Sequence, residues 1–402
     1  QFANGVRLNL KRTTFEPGRV RLTVRVDGGK LSVPPDQPGL EMRIFAWLFG
    51  GMRDLTFDEL RPTLSDLTGE FNLVVSRDEF RLVQTDDTAN LPLLLQLCAA
   101  FFTRPAFQEA TQSLGIVQKI LTPSLTTASG VAEAALSERM TGRHPPTMDQ
   151  VRQRTVDELK AWLLPQLAAA PVEISIVGDF EAGAAIDAVA RTLGALPARH
   201  PGDPYAELRN TELPPPAFSE AIVFDGNTSV AAAALAWPLP GNATHAPQFQ
   251  AHLLGTILKQ RLWQKLRVET GDAYVIEAAV AADAGLRPPV AYLQCRVEAA
   301  PERVEQIAAT LRDVAELLAR DGATAEELER ARQPFVRDTE TGLRDNDWWI
   351  DLLAVAQSTP THSYAWARAL DRYKSVSLEE INALARRVIV RDRLCQLIVR
   401  PK

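Results

Sequence analysis

Apolar and polar residues alternate from Arg21 to Asp27, the two-residue period of a strand whose two faces differ. The same pattern predicts strands at 71–76 and 79–85, joined as a hairpin around Arg77-Asp78, and a further strand at 172–177. Over 248–267 the period changes to that of a helix, with Phe249, Leu253, Ile257, Leu258, Leu262 and Leu266 on one face. Helices are also predicted at 38–49, across 91–164, and at 181–194, 301–320, 325–343 and 378–388. Strands are predicted at 220–224, 229–237, 274–282, 291–298 and 393–399.

The densest run of breakers lies between Leu196 and Phe218. It holds Pro197, Pro201, Pro204, Pro214, Pro215 and Pro216, which rule out continued helix and favour an extended connection. On each side of it the elements run in the same order: strand, helix, hairpin, helices, strand. That repetition predicts an α+β protein built from two similar domains, each a mostly antiparallel sheet packed with helices. The expected boundaries are 1–200 for the first domain, 201–217 for the linker and 218–402 for the second.

Composition changes this picture little. At 402 residues, 46% hydrophobic and 23% charged, the chain has the make-up of a globular protein with more than one core. Its net charge of -6 and the absence of a basic stripe argue against nucleic acid as a partner. The longest apolar run, Leu91 to Phe102, is about half a bilayer span and includes Gln96, so it reads as a buried helix and no membrane span is expected. The chain begins at Gln1 with no signal peptide, which leads us to expect a piece of a longer protein. Cys98, Cys295 and Cys395 are scattered through apolar stretches, as buried free thiols are.

Catalytic chemistry is hard to find. The histidines are His144, His200, His245, His252 and His362, and no two stand four apart. Neither order of the zinc-peptidase helix motif is therefore present, and no metal site is expected in this chain. There is no Gly-x-Ser-x-Gly elbow and no phosphate loop following a strand. The acidic pairs around Glu326-Glu327 and Asp345 to Asp347 fit solvated helix surface or caps. What remains is a pair of donors. Arg267 falls in the last turn of the long helix, Gly271 supplies a turn, and Tyr274 follows at the start of a strand. Such a junction aims both side chains outward and suits them to grip a peptide backbone. Both also have plain structural readings, since a cation relaxes a helix C-terminus and an aromatic favours a strand. Neighbouring Arg261, Trp263 and Lys265 are expected at the helix surface or in packing between domains. Asn346, Trp348 and Trp349 are expected to cap and bury a helix junction.

These residues resemble those of the insulinase/pitrilysin zinc metallopeptidases, whose zinc helix carries an inverted His-x-x-Glu-His motif. Ile176-Val-Gly-Asp-Phe180 followed by Leu193-Gly-Ala-Leu-Pro197 is similar to one family signature. Glu327-Leu-Glu-Arg-Ala-Arg332 with Asn346-Asp-Trp-Trp349 is similar to another. Arg267 and Tyr274 match in type and spacing the Arg/Tyr pair of the family's substrate-gripping half. The segment Pro38 to Gly51 aligns with the zinc helix but places Met42, Phe45 and Ala46 where the first ligand, the general base and the second histidine stand. Phe and Ala offer zinc no lone pair, and a thioether suits softer metals.

The resemblance implies a non-catalytic C-terminal half with the fold of this family and with no cofactor of its own. Its stretch Phe2 to Lys11 resembles the entry to such a half. Zinc and a catalytic Glu are expected in a zinc-bearing N-terminal half, or in a partner subunit, where they would activate a water. Arg267 and Tyr274 would then bind the peptide substrate and complete the site. Family habit places such bacterial enzymes in the periplasm. The rival expectation is a catalytically inactive scaffold or interaction subunit of the same fold, as in core subunits of respiratory complexes.

Overall fold

The computed structural model describes residues 1–402 apart from 54–55, 57–58, 60–70, 108–110, 143, 211–216, 227–228, 241–244, 272, 284 and 287–288. Among the described residues ten strands form two five-stranded sheets. The first comprises β1 (Arg7–Arg12), β2 (Arg19–Asp27), β3 (Phe71–Val75), β4 (Glu79–Asp87) and β5 (Val172–Gly178), in the order β1-β5-β2-β4-β3. The second comprises β6 (Phe218–Phe224), β7 (Ala231–Pro238), β8 (Val275–Asp283), β9 (Val290–Ala299) and β10 (Cys395–Pro401), in the order β6-β10-β7-β9-β8. The two orders are the same permutation. In each sheet the first and last strands pair in parallel, Leu10 beside Ile176 and Ile222 beside Val399. The remaining pairs are antiparallel, with Leu22 between Gln84 and Ile176 in one sheet and Leu235 between Gln396 and Cys295 in the other. The expected α+β architecture of two similar, mostly antiparallel sheets is what the chain adopts.

The compact units are not continuous in sequence. One contains residues 1–118, 146–209 and 340–367, and the other 119–145, 210–339 and 368–402. The main passage between them falls within the expected linker at 201–217, of which 211–216 lie outside the described residues. Beyond that passage, two segments belong with the sheet they cover. The helix Ala128–Thr141 packs on β7, β9 and β10, and the helix Asn346–Leu353 packs on β2 and β5. Periodicity reports that a helix has a buried face but not which sheet buries it.

Local signals explain most element ends. Thr155 and Ser377 each form a reciprocal capping box, with Glu158 and Glu380 respectively. Gly178 closes β5 at φ 138°, and a Cβ there would come within 2.3 Å of the Arg19 carbonyl oxygen. The core of the first unit gathers Leu22, Val24, Ile174 and Ile176 from the sheet with Trp47, Leu95, Phe101 and Leu163 from helices. The apolar run that begins at Leu91 is the helix Leu91–Thr103, and no helix among the described residues is long and apolar enough to cross a membrane. Cys98, Cys295 and Cys395 are free and buried, and burial pushes their thiols up to about 12, 12 and 11.

Candidate functional site

The long helix of the second unit runs from His245 to Trp263, and every residue of its expected apolar face is buried. Its last stretch differs from expectation. Gln264–Glu269 is a turn of π-helix, one residue wider than an α-turn, and Arg267 lies within it. Leu266 stays buried while Gln264, Lys265, Arg267, Val268 and Glu269 face solvent. Such wide turns recur at functional sites because they redirect side chains without ending the helix. Thr270 donates to the Leu266 carbonyl at 3.3 Å, and Gly271 at φ 69° turns the chain into the second sheet.

Tyr274 immediately precedes β8, and its N–H donates to the Glu298 carbonyl of β9 at 2.9 Å. Its side chain is 60% exposed. The structure brings Arg267 to the same point: Nη1 donates to the Ala273 carbonyl at 2.6 Å and reaches the Tyr274 carbonyl at 3.4 Å. The guanidinium thus braces the helix-to-strand junction. A guanidinium carries five N–H donors. Beyond those two bonds, neither its other donors nor the Tyr274 hydroxyl bonds to another described residue. The nearby carboxylate of Glu269 is engaged by Lys265 at 2.9 Å. The junction therefore holds a guanidinium and a phenol hydroxyl at the surface, both with donors left over.

The segment that aligns with a zinc helix is short. A 3₁₀ turn, Leu40–Arg43, leads into the helix Ile44–Phe49, after Gly39 in the left-handed region has ended the preceding loop. Ala46 and Met42 are buried, at 1% and 9% exposure, and the ring of Phe45 stacks on Phe49 at 6.4 Å. These three positions hold packing side chains, so they do not fit zinc ligation and no chemical step runs through a metal here. Among the described residues no group of three or more His, Cys, Asp or Glu side chains could hold a metal ion. His144 is at the surface beside Glu138 at 2.6 Å. His252 is half-buried, with Nδ1 2.9 Å from the Tyr373 hydroxyl, and desolvation pushes its imidazole down to about 4.

Asn346 is wholly buried and accepts a hydrogen bond from Thr13 at 2.6 Å, while Asp345 caps the helix that follows. Trp349 donates to the Leu343 carbonyl at 3.1 Å, so the cluster lies at a helix junction as expected, but the capping side chain is Asp345 rather than Asn346. Glu327 caps its own helix through Thr324 and accepts a two-point bond from Arg261, at 2.6 and 2.8 Å, which holds its carboxyl below the usual range. The same stretch borders a cavity of about 720 Å³, lined by Arg261, Trp263 and Lys265 among others. Sequence reasoning placed these three at a helix surface or domain packing face. The signal for something more was Trp263, a large aromatic on the polar side of an amphipathic helix.

Three comparisons bear on this arrangement. Residues 154–335 match the family description "Peptidase M16 inactive domain". Over that stretch the chain is similar to the inactive domain of M16 peptidases. An uncharacterised zinc protease of Mycobacterium tuberculosis is 29% identical over 138 residues, which are 34% of this chain and 31% of that protein. The chain thus matches about a third of the length of that curated relative. The crystal structure of a peptidase M16 inactive domain from Pseudomonas fluorescens superposes with a TM-score of 0.79 at 18% identity, covering 100% of this chain and 97% of that one. The periplasmic protease PqqL from Escherichia coli superposes with a TM-score of 0.79 at 16% identity, covering 100% of this chain and 45% of PqqL. At these identities the two structures report the shared fold.

Proposed function

We propose that this chain is the substrate-gripping, non-catalytic half of an M16 zinc peptidase. The observation that carries the reading is the junction at 264–274. A π-turn positions Arg267 against the entry to β8, and the exposed Tyr274 stands beside it with its hydroxyl uncommitted. Arg267 would donate its outward N–H groups to carbonyl oxygens of an extended peptide. Tyr274 would add one donor from a side chain with few rotamers. Together they would orient the backbone and favour charge that develops on a carbonyl oxygen. The metal of a zinc-bearing N-terminal half or partner subunit would supply the attacking water. Likeness to PqqL, of which this fold makes up 45%, supports a place within a longer two-half enzyme and makes the periplasm the inferred compartment.

A second reading has its own observation. Arg267 already serves its own chain by bracing the Ala273 carbonyl, as a scaffold subunit would require. The two readings separate on reconstitution with the zinc-bearing half. Chelator-sensitive cleavage of a quenched peptide should appear only in the mixture. Arg267→Ala or Tyr274→Phe should lower kcat/KM on the order of 100-fold while the far-UV spectrum and melting point hold. Full turnover in both variants would remove the pair from function and leave the scaffold.

A further inference from the structure

The cavity beside the π-turn has a chemistry that neither the fold nor the Arg267–Tyr274 pair requires. Its volume of about 720 Å³ lies in the range of ligand-binding clefts. The wall is largely apolar and is built from three helices, His245–Trp263 with its π-turn, Val304–Asp321 and Ala325–Gly342. Trp263 and Leu317 line it and stay 53% and 42% exposed, so two large apolar side chains are left uncovered. Gln260 also lines it, and its Oε1 is buried with no hydrogen-bond partner, an acceptor waiting for a donor. Four cations, Lys259, Arg261, Lys265 and Arg330, share the lining with only two carboxylates, Glu269 and Glu327. Arg261 and Lys265 are held by those two carboxylates, and Arg330 pairs with Glu326 at 3.3 Å. Lys259 has no charged partner among the described residues.

We propose that this cavity is a second peptide-docking site that takes an apolar side chain flanked by carboxylates. It rests on the reading of the chain as a peptide binder, and it uses neither Arg267 nor Tyr274. One ligand class meets all three demands. An apolar side chain covers Trp263 and Leu317, a backbone N–H satisfies Gln260 Oε1, and an adjacent Asp or Glu neutralises Lys259. A fatty acid would meet the first and last demands but brings no donor for Gln260. Docking such a segment away from the scissile bond would raise the effective concentration of acidic substrates at the junction.

The test uses the 402-residue chain and fluorescence anisotropy with a labelled decapeptide of alternating Asp and Leu. Its Lys/Leu counterpart serves as control. The acidic probe should bind, with affinity falling as salt rises. Lys259→Glu and Leu317→Asp, both at exposed positions, should each weaken binding about tenfold or more. Lys160→Glu, a surface cation of the other unit, should leave probe binding within about twofold, and the turnover assay reads the Arg267–Tyr274 junction separately. Equal binding of the Lys/Leu peptide overturns the proposal. So does absence of binding, or affinity unmoved by both substitutions. Displacement by laurate at lower concentration than by unlabelled acidic peptide would assign the cavity to an amphiphilic acid and overturn the peptide as its occupant.

Discussion

The central strands β2 and β7 hold the same place in the same strand order, and both are buried on both faces, yet their sequences have little in common. β2 reads Arg-Val-Arg-Leu-Thr-Val-Arg-Val-Asp and β7 reads Ala-Ala-Ala-Ala-Leu-Ala-Trp-Pro. In β2 the valines and Leu22 face the helical core, while Arg21, Thr23, Arg25 and Asp27 face the segment that includes Asn346–Leu353. That second face is held by charge. Arg25 donates to Asp27 and Glu79, and to Ser358 at 2.9 Å. Glu173, fully buried, accepts from Asn9 at 2.8 Å and from the Gln357 N–H at 2.7 Å. In β7 the matching face is held by smallness. Ala234 pairs with Arg296, whose Nη1 reaches the Ser129 carbonyl at 3.0 Å and Glu133 at 2.9 Å in the helix Ala128–Thr141. The alanines 232, 234 and 236 therefore lie under that helix and let it approach closely. One topology tolerates two ways of closing a sheet's outer face, provided that the buried charges are paired.

The largest expected effect breaks the charged face. Arg25→Met leaves Asp27 and Glu79 buried without their cation and should lower the stability of that unit by about 3–5 kcal/mol. Replacing Asp27 and Glu79 by Leu in the same background should recover most of the loss. Urea unfolding that shows less than about 1 kcal/mol for the single change would mean that the network contributes nothing. The next effect is acid-dependent and contrasts the two units. His252 has its imidazole pushed down by burial to about 4, from 6.5, so the unfolded chain binds the proton first. Stability from this group is complete above pH 6.5 and is lost as pH falls towards 4, by up to about 3 kcal/mol. Asp27 and Glu79 are raised, chiefly by burial with Arg25 opposing, so their contribution runs the other way and weakens as pH rises above the usual carboxylate range. His252→Asn should flatten the acid limb of a pH series of urea midpoints. An unchanged slope would place the acid sensitivity elsewhere. The smallest effect tests the alanine face. Ala234→Leu should crowd the helix Ala128–Thr141 and lower stability by about 1–3 kcal/mol. A neutral result would show that this face has slack and that its alanines are not needed for close approach.

The legible parts of the molecule are those whose signal is local. Alternation located β2, the turn at Arg77-Asp78 located the β3–β4 hairpin, and the apolar face from Phe249 to Leu266 located the long helix. The π-turn was not legible, because one extra residue per turn leaves composition and the burial of Leu266 unchanged. Three short helices, Asn346–Leu353, Pro360–Ala367 and Ala369–Ser375, are too brief to show a period. Alternation in β2 is the usual mark of a sheet with one wet face, and here that face is dry. The candidate junction was legible as a spacing of Arg267 and Tyr274. Its bracing bond to the Ala273 carbonyl and the cavity beside it were not, because both depend on residues brought together by the fold.

Most of the order of elements, the duplication of the unit and the apolar side chains at Phe45 and Ala46, where a zinc helix would carry a base and a ligand, were determined by the sequence alone, while β1 and the three short helices were not. Each follows from residue type and period within a few turns of chain. Tertiary structure decided which sheet claims the helix Ala128–Thr141 and which claims Asn346–Leu353. It also decided that the arginines of β2 are paired rather than solvated, and that Trp263 lines a cavity. Many of those outcomes turn on partners distant in sequence, 54 residues for Arg25 and Glu79 and 326 for Arg21 and Asp347, and desolvation and pairing energies exist only once such partners meet.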